Sequence, residues 1–314
     1  MTGFLVRRAA AAIAVLWLVS AAVFTLLHVV APHPERVIGG PRASAETLAA
    51  IRADLGLDEP LFVQYGRFAG GLLRGDLGRS YQSGEPVAGM LADRLPVTVL
   101  LVGGGCALAL LLGVALGVGG LSRPRLADTV VLGVAATPVF LVGLLLLAAL
   151  FAGLGAAGLH LVEPGPPMAG HFWRRMALPW LTLGLVLAAS YARLTRVTLA
   201  ETLGADHVRA ARSRGVAERR LVWRHGLRVA AVPLATQLGV DMGALLSGAV
   251  VVEKVFGVQG AGQLTAQAVA VGDAPVVLGA VLAGACCAVA AATVVDVAVA
   301  ALDPVSRFWS PSPS

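Results

Sequence analysis

Charge is what this chain most lacks. Only 13% of its 314 residues are Asp, Glu, Lys or Arg, about half the share in an ordinary soluble domain. With 57% hydrophobic residues and a mean hydropathy of +0.82, the composition excludes a soluble globular domain and reads as a polytopic membrane protein. Cysteine is scarce too. Cys106, Cys286 and Cys287 all lie in apolar runs, with no CxxC pair and no Cys/His cluster. That removes the basis for a disulfide framework or a structural zinc site. No GxxxxGK[ST] loop is present to cradle phosphates. The nearest stretch, "GVGGLSRP", has no lysine and follows an apolar run rather than a strand, so ATP hydrolysis by this chain itself is not expected. HExxH is absent, His28, His33, His160 and His171 are scattered, and no apolar run carries paired acids. A membrane-embedded hydrolase would lack its ligands.

What is abundant is apolar sequence in long runs. A hydrocarbon core of about 30 Å needs roughly 20 helical residues. Six runs meet that length, at about 9–31, 97–120, 127–153, 177–199, 229–252 and 275–301. The first follows Arg7 and Arg8 in the manner of a signal peptide. It is longer than a typical signal core and has no small-x-small cleavage pattern after it, so it reads as an uncleaved span. The expected fold is all-α, with six transmembrane helices.

The positive charges give the sidedness. Net charge is +6. Arg7 and Arg8, Arg123 and Arg125, the seven arginines of 206–228, and Arg307 all fall in segments on one side of the alternating spans, as cytoplasmic loops should. In the long loop 32–95, arginines and acids nearly balance, which suits the other side. Both termini are then cytoplasmic. The chain divides into an N-terminal tail with the first span (1–31), an extracytoplasmic loop with short helices (32–95), a five-helix core (96–301) carrying the cytoplasmic loop 200–228, and a cytoplasmic tail (302–314). Within the outer loop, "ASAETLAAIRADLGL" predicts an amphipathic helix capped by Ser44, with Leu48, Ile51 and Leu55 on one face. "PLFVQYGRFAGGLLRG" predicts another, with Phe62, Tyr65, Phe68 and Leu72 at helical spacing.

Several residues break the apolar pattern. Asp241 stands in the middle of the fifth run with Gln237 one turn before it. An intramembrane acid is costly unless it faces protein or a water-filled path, so the pair either lines a path or joins neighbouring helices. Gly113 and Gly117 allow close helix approach, and Pro138 and Pro233 can interrupt their spans. Glu253 and Lys254 close the fifth run on the outer side, where they pair locally or meet an external protein. Asp76 in "RGDLGRS" is either a turn-capping carboxylate or an outer contact. Asp303-Pro304 ends the last run.

The basic strip "DHVRAARSRGVAERRLVWRHGLR", Asp206 to Arg228, stands between the fourth and fifth runs. It reads as a short helix stopped at Gly215, followed by a second helix in which Arg220, Arg224 and Arg228 share a face. Each arginine is drawn to an anionic membrane surface by about 1 kcal/mol. Nucleic acid is disfavoured, since a helix held between two spans has little freedom to enter a groove, and so is a calmodulin-type target. Ala210, Ala211 and Gly215 permit close approach, which favours a docking surface for a cytoplasmic protein.

Here the chain resembles the membrane-spanning B-type permease of bacterial ABC importers for dipeptides, oligopeptides or nickel. The family's cytoplasmic motif, the EAA loop, ends in a pattern like "YVRTARAKGL"; it stands here as His207 to Val216, with His207 in place of an aromatic. "ERRLVWRHGLRVAAVPLATQLG", "LGLDEPLFVQYGRFAGGLLRGDLGRS", "PVAGMLADRLPVTVLL", "GAVVVEKVFGVQGAGQL", "DAPVVLG" and "ALDPVSRF" follow the family in order over nearly the whole chain. The usual "PGDP" stands as Ala31-Pro32-His33-Pro34, and Gln259-Gly260 stands where Pro-Gly is usual.

The resemblance implies the permease fold of a type I ABC importer and a role as the non-catalytic translocation subunit. Its implied partners are a second homologous permease subunit, two cytoplasmic ATP-binding subunits that hold ATP and Mg, and an extracytoplasmic substrate-binding protein. Arg209, Ala210, Ala211, Arg212 and Gly215 would couple to an ATPase subunit. Closure of the ATPases would tilt the fourth and fifth spans and alternate access. The cargo is a di- or oligopeptide, with nickel or a metal chelate as the alternative. An ion-coupled carrier using Asp241 is the rival mechanism, and no inverted repeat supports it.

Overall fold

The computed structural model describes residues 2–30, 33–40, 42–121, 133, 137–154 and 172–302. Its elements are helices: α1 (Thr2–Val30), α2 (Pro34–Gly39), α3 (Ala45–Leu55), α4 (Leu61–Leu72), α5 (Val87–Gly119), α6 (Val139–Leu154), α7 (Phe172–Gly204), α8 (Asp206–Ser213), α9 (Glu218–Leu221), a π-helical turn (Val222–Gly226), α10 (Leu227–Phe256), α11 (Ala261–Val271) and α12 (Ala274–Leu302). Among the described residues, five segments are long and apolar enough to cross a membrane: Val6–His28, Val87–Gly119, Trp173–Gly204, Glu218–Leu246 and Ala274–Ala300. The chain is thus an all-α, multi-span membrane protein. The sixth expected span, 127–153, reaches only the 16-residue α6 among the described residues, and most of its first part lies outside them. Arg123, Arg125, His160, His171, Arg307 and the tail 303–314 also lie outside the described residues.

The spans extend past their apolar runs. Helix α5 begins at Val87, ten residues before the predicted start, and runs unbroken through the expected boundary at 95–96 with Pro96 inside it. Hydropathy marks only the lipid-facing length, whereas packing supplies the rest. Val87 and Leu91 are buried against Ala261, Ala268, Val276 and Ala280, an i, i+4 pair on one helical face.

Contacts divide the chain into two compact units. The first joins Met1–Val99 to Val258–Val289. Here α4 packs on the C-terminal end of α1. Phe24 meets Tyr65 and Phe68 at ring-centroid distances of 5.4 and 5.6 Å, the Ser20 and Tyr65 hydroxyls are 2.8 Å apart, and His28 Nε2 lies 3.0 Å from Gln64 Oε1. Phe62, expected on the same face, is exposed. Helix α3 is capped as expected, Ser44 Oγ accepting from the Thr47 N–H at 3.1 Å. Ser80 and Asp273, both buried, pin the following loop. Ser80 Oγ donates to Asp273 Oδ2 at 2.5 Å, and the Tyr81 N–H donates to Oδ1 at 3.1 Å.

The second unit joins Leu100–Gly257 to Ala290–Ser314. Helices α5 and α7 lie against each other along glycines. A Cβ at Gly113 would overlap the Cβ of Tyr191 and sit 3.2 Å from the Ala188 carbonyl oxygen. One at Gly117 would sit 2.6 Å from Thr195 Cβ and 2.8 Å from the Ala192 carbonyl. Where these two backbones approach, only glycine fits, as the small-residue spacing foretold. Trp180, half-buried, satisfies its indole by donating to the Leu100 carbonyl at 3.0 Å.

Candidate functional site

The basic strip folds into two arms with different chemistry. The first is α8. Val208, 1% exposed, is its buried anchor, while Arg209, Ala210 and Arg212 face outward and Ala211 is half-buried. Its end is a Schellman closure: the Gly215 N–H donates to the Arg212 carbonyl at 3.0 Å and the Val216 N–H to the Ala211 carbonyl at 3.3 Å. Gly215 holds φ +82°, with nothing within 4 Å of where a Cβ would stand. Two arginines of this arm are tied up locally. Arg212 forms a two-pronged ion pair with Glu218, and Arg209 lies 3.7 Å from Asp206. The outward surface is therefore small side chains flanked by Arg209 and Arg212, each beside an acid, and by the exposed Arg214.

The second arm differs from expectation. It is not a separate helix but the leading end of α10, joined through α9 and the π-helical turn. The buried positions explain the turn. Leu221, Gly226, Ala230 and Leu234 all face inward, at steps of five, four and four, and a π turn absorbs the extra residue. A Cβ at Gly226 would overlap Leu199 Cδ2 of α7. Arg220, Arg224 and Arg228 are all exposed, but the π turn between them breaks their four-residue alignment. The spacing of Leu221, Gly226, Ala230 and Leu234 was the overlooked signal.

Midway along α10, Gln237 Nε2 donates to Asp241 Oδ1 at 2.9 Å. Asp241 Oδ2 is buried without a hydrogen-bond partner, as are the hydroxyls of Tyr191 and Thr195 on α7. The Asp241 carboxylate is near enough to interact with the Tyr191 hydroxyl and the Cys106 thiol. The sequence pointed to Gln237 and Asp241. It gave no reason to single out Tyr191, which is fully buried and identifiable only as the one phenol in its span.

The outer candidates separate. Glu253 is fully buried and Lys254 exposed, on different sides of the end of α10. Asp76 is exposed and accepts from the Gly78 N–H at 2.8 Å, the turn-capping arrangement. Gln259 has a structural partner in its own unit: its Oε1 accepts from Arg94 Nη1 at 3.1 Å. The first unit also holds a cavity of about 520 Å³ lined by Phe24, His28, Gln64, Arg67 and Phe68 among others. Its arginines are paired, Arg67 with Glu59 at 2.6 Å and Arg52 with Asp58 at 2.9 Å. Beside it, burial works against the charge of Glu35, but a backbone N–H, His33 and Arg52 outweigh that and hold its carboxyl below the usual range. Among the described residues no group of three or more His, Cys, Asp or Glu side chains could hold a metal ion.

Residues 109–307 match the family described as binding-protein-dependent transport system inner membrane component, and residues 1–102 match the N-terminal family of such membrane components. The glutathione transport system permease protein GsiC of Escherichia coli strain K12 is 34% identical over 313 residues, covering 98% of this chain and 100% of that one. GsiC of Salmonella paratyphi A is 36% identical over the same span and coverage.

Proposed function

The chain belongs to the binding-protein-dependent transport system inner membrane component family, and from that premise we propose that it forms half of the translocation path of an ATP-driven importer of short peptides. The observation that carries the peptide reading is similarity to glutathione permeases over essentially the full length of both chains, since glutathione is itself a small peptide. The second homologous permease subunit supplies the other half of the path. Two cytoplasmic subunits bind ATP and Mg, and an extracytoplasmic binding protein delivers cargo. Both termini lie on the cytoplasmic side, and a span over about 127–153, which includes α6, makes six.

In this mechanism α8 seats in a groove of an ATPase subunit through Ala210, Ala211 and the turn at Gly215. The pairs Arg209–Asp206 and Arg212–Glu218 leave Arg214 as the exposed basic group beside the seat. Movement of the seat passes into α10 through α9 and the π turn, and into α7 through Leu199 against Gly226. The end of α7 and the start of α10 move together, shifting Tyr191 against Asp241 and alternating access to the path. Asp76, Glu253 and Lys254 belong to the outer end, where Lys254 and Asp76 are the ones exposed for the binding protein.

The test is ATP hydrolysis by the complex, drawn out through a tag on this chain and reconstituted in liposomes. It is measured with binding protein loaded with glutathione, a peptide library or a nickel chelate. Stimulation by peptide is expected. Stimulation by the chelate alone would overturn the cargo. A chain that carries solute on an ion gradient with no ATPase attached would overturn the coupling.

A further inference from the structure

Apart from Arg214, exposed at the end of α8, the arginines of the basic strip fall into two classes. Those of α8 are paired with acids, as described. Those of the second arm are not: among the described residues, no ion pair or side-chain hydrogen bond engages Arg219, Arg220, Arg224 or Arg228, and all four are exposed. From Arg219 to Val240 the chain carries these four arginines and no acid. Four like charges with no local counter-charge repel one another. A folded chain tolerates that arrangement when an outside anion supplies the balance.

The surroundings say which anion. Trp223 is 59% exposed, in the same turn as Arg219 and Arg220. With Ala217, these three side chains line an open cleft of about 480 Å³. The cleft stands at the leading end of a helix that crosses the membrane. Trp at such an end belongs to the headgroup layer, and basic residues there are drawn to anionic lipid. About 14 Å of helix axis separates Arg219 from Arg228, a depth that arginine side chains span by reaching back toward the phosphates. Along the same helix Val229 is 52% and Val240 64% exposed, apolar surface for an acyl chain below the headgroup. A free phosphate would use the arginines but have no use for the indole or the valines.

We propose that Arg219, Arg220, Trp223, Arg224 and Arg228 form a docking site for an anionic phospholipid headgroup, separate from the protein seat on α8. The lipid holds the leading end of α10, π turn included, at the membrane surface as a pivot, and the turn at Gly215 between α8 and α9 takes up the movement of the seat. The pivot role rests on the coupling reading above, whereas the binding site does not.

The test uses the whole complex in nanodiscs of phosphatidylcholine, with or without phosphatidylglycerol, and counts retained phosphatidylglycerol by native mass spectrometry. Each arginine removed should weaken retention about fivefold, so Arg219→Gln, Arg220→Gln and Arg224→Gln together should abolish it with the ATPase subunits still attached. Trp223→Ala keeps every charge and should weaken retention alone. Arg209→Gln should leave it unchanged. Full retention by the triple variant would overturn the proposal. So would loss of the ATPase subunits with phosphatidylglycerol kept, which would turn these arginines toward protein. Displacement of the lipid by inorganic phosphate at equal strength would show a soluble-anion site instead. If wild type purifies without any ATPase, the coupling reading fails, and lipid retention still decides the binding site.

Discussion

Gly215 offers the sharpest test of the coupling seat because two effects of substitution can be separated there. Its φ of +82° lies in the left-handed region, where an L-residue with a Cβ pays about 1–2 kcal/mol. That is roughly a fivefold to thirtyfold shift in the local balance between closed and frayed turn. No atom lies within 4 Å of a Cβ placed there, so Ala adds backbone strain and no clash. Asn tolerates this conformation better than Ala, and Trp adds bulk on the outward face beyond the strain. In peptide-stimulated ATP hydrolysis and uptake, activity should therefore fall in the order Gly, Asn, Ala, Trp. Gly215→Ala should lose severalfold of uptake, and Gly215→Trp should lose nearly all. Basal hydrolysis and the amount of folded chain in the membrane should hold. If Gly215→Trp matches Gly215→Ala, the turn matters but its face docks nothing. If Gly215→Trp transports normally, the seat is elsewhere.

Other expectations follow from the packing. Gly113→Ala should lower the thermal midpoint of the complex, because its Cβ meets Tyr191 and the rigid backbone of α7, at about 1–3 kcal/mol; Gly103→Ala, with nothing within 4 Å, should be neutral or stabilising by up to about 1 kcal/mol. Equal midpoints for the two would refute the close approach of α5 and α7. Asp241→Asn preserves an acceptor for Gln237 and should fold normally while cutting uptake; unchanged uptake would reduce the pair to helix packing. Asp241→Leu strands the Gln237 amide and should also destabilise, by about 1–3 kcal/mol. The lowered carboxyl of Glu35 contributes stability that is present above its ordinary value and lost as pH falls through its lower folded value. Acid should therefore lower the thermal midpoint, and Glu35→Gln should remove that part of the pH dependence. An unchanged acid profile in that variant would rule Glu35 out.

Much of the fold was legible because lipid imposes a simple rule. Long apolar runs must become helices, since no water is available for the backbone. The cap at Ser44, the stop at Gly215 and the close approach at Gly113 and Gly117 were equally local, each set by what one side chain permits. Less legible was anything that depends on a distant segment. Val87 and Leu91 extend α5 because α11 and α12 offer them burial, and no hydropathy window contains that. The departure at Gln259 became intelligible only beside Arg94, 165 positions earlier in the chain.

The candidate site divides in the same way. The sequence by itself determined the family, the helical class, the basic strip and the intramembrane acid, because these follow from composition, periodicity and order along the chain. Only the tertiary structure decided which arginines of the strip are already paired. It likewise decided that the second arm continues α10 through a π turn, that Tyr191 lies near Asp241, and that Glu253 turns inward while Lys254 turns out. Pairing and burial are set by distances between side chains on different turns and helices, and a linear pattern carries those distances only after the chain has folded.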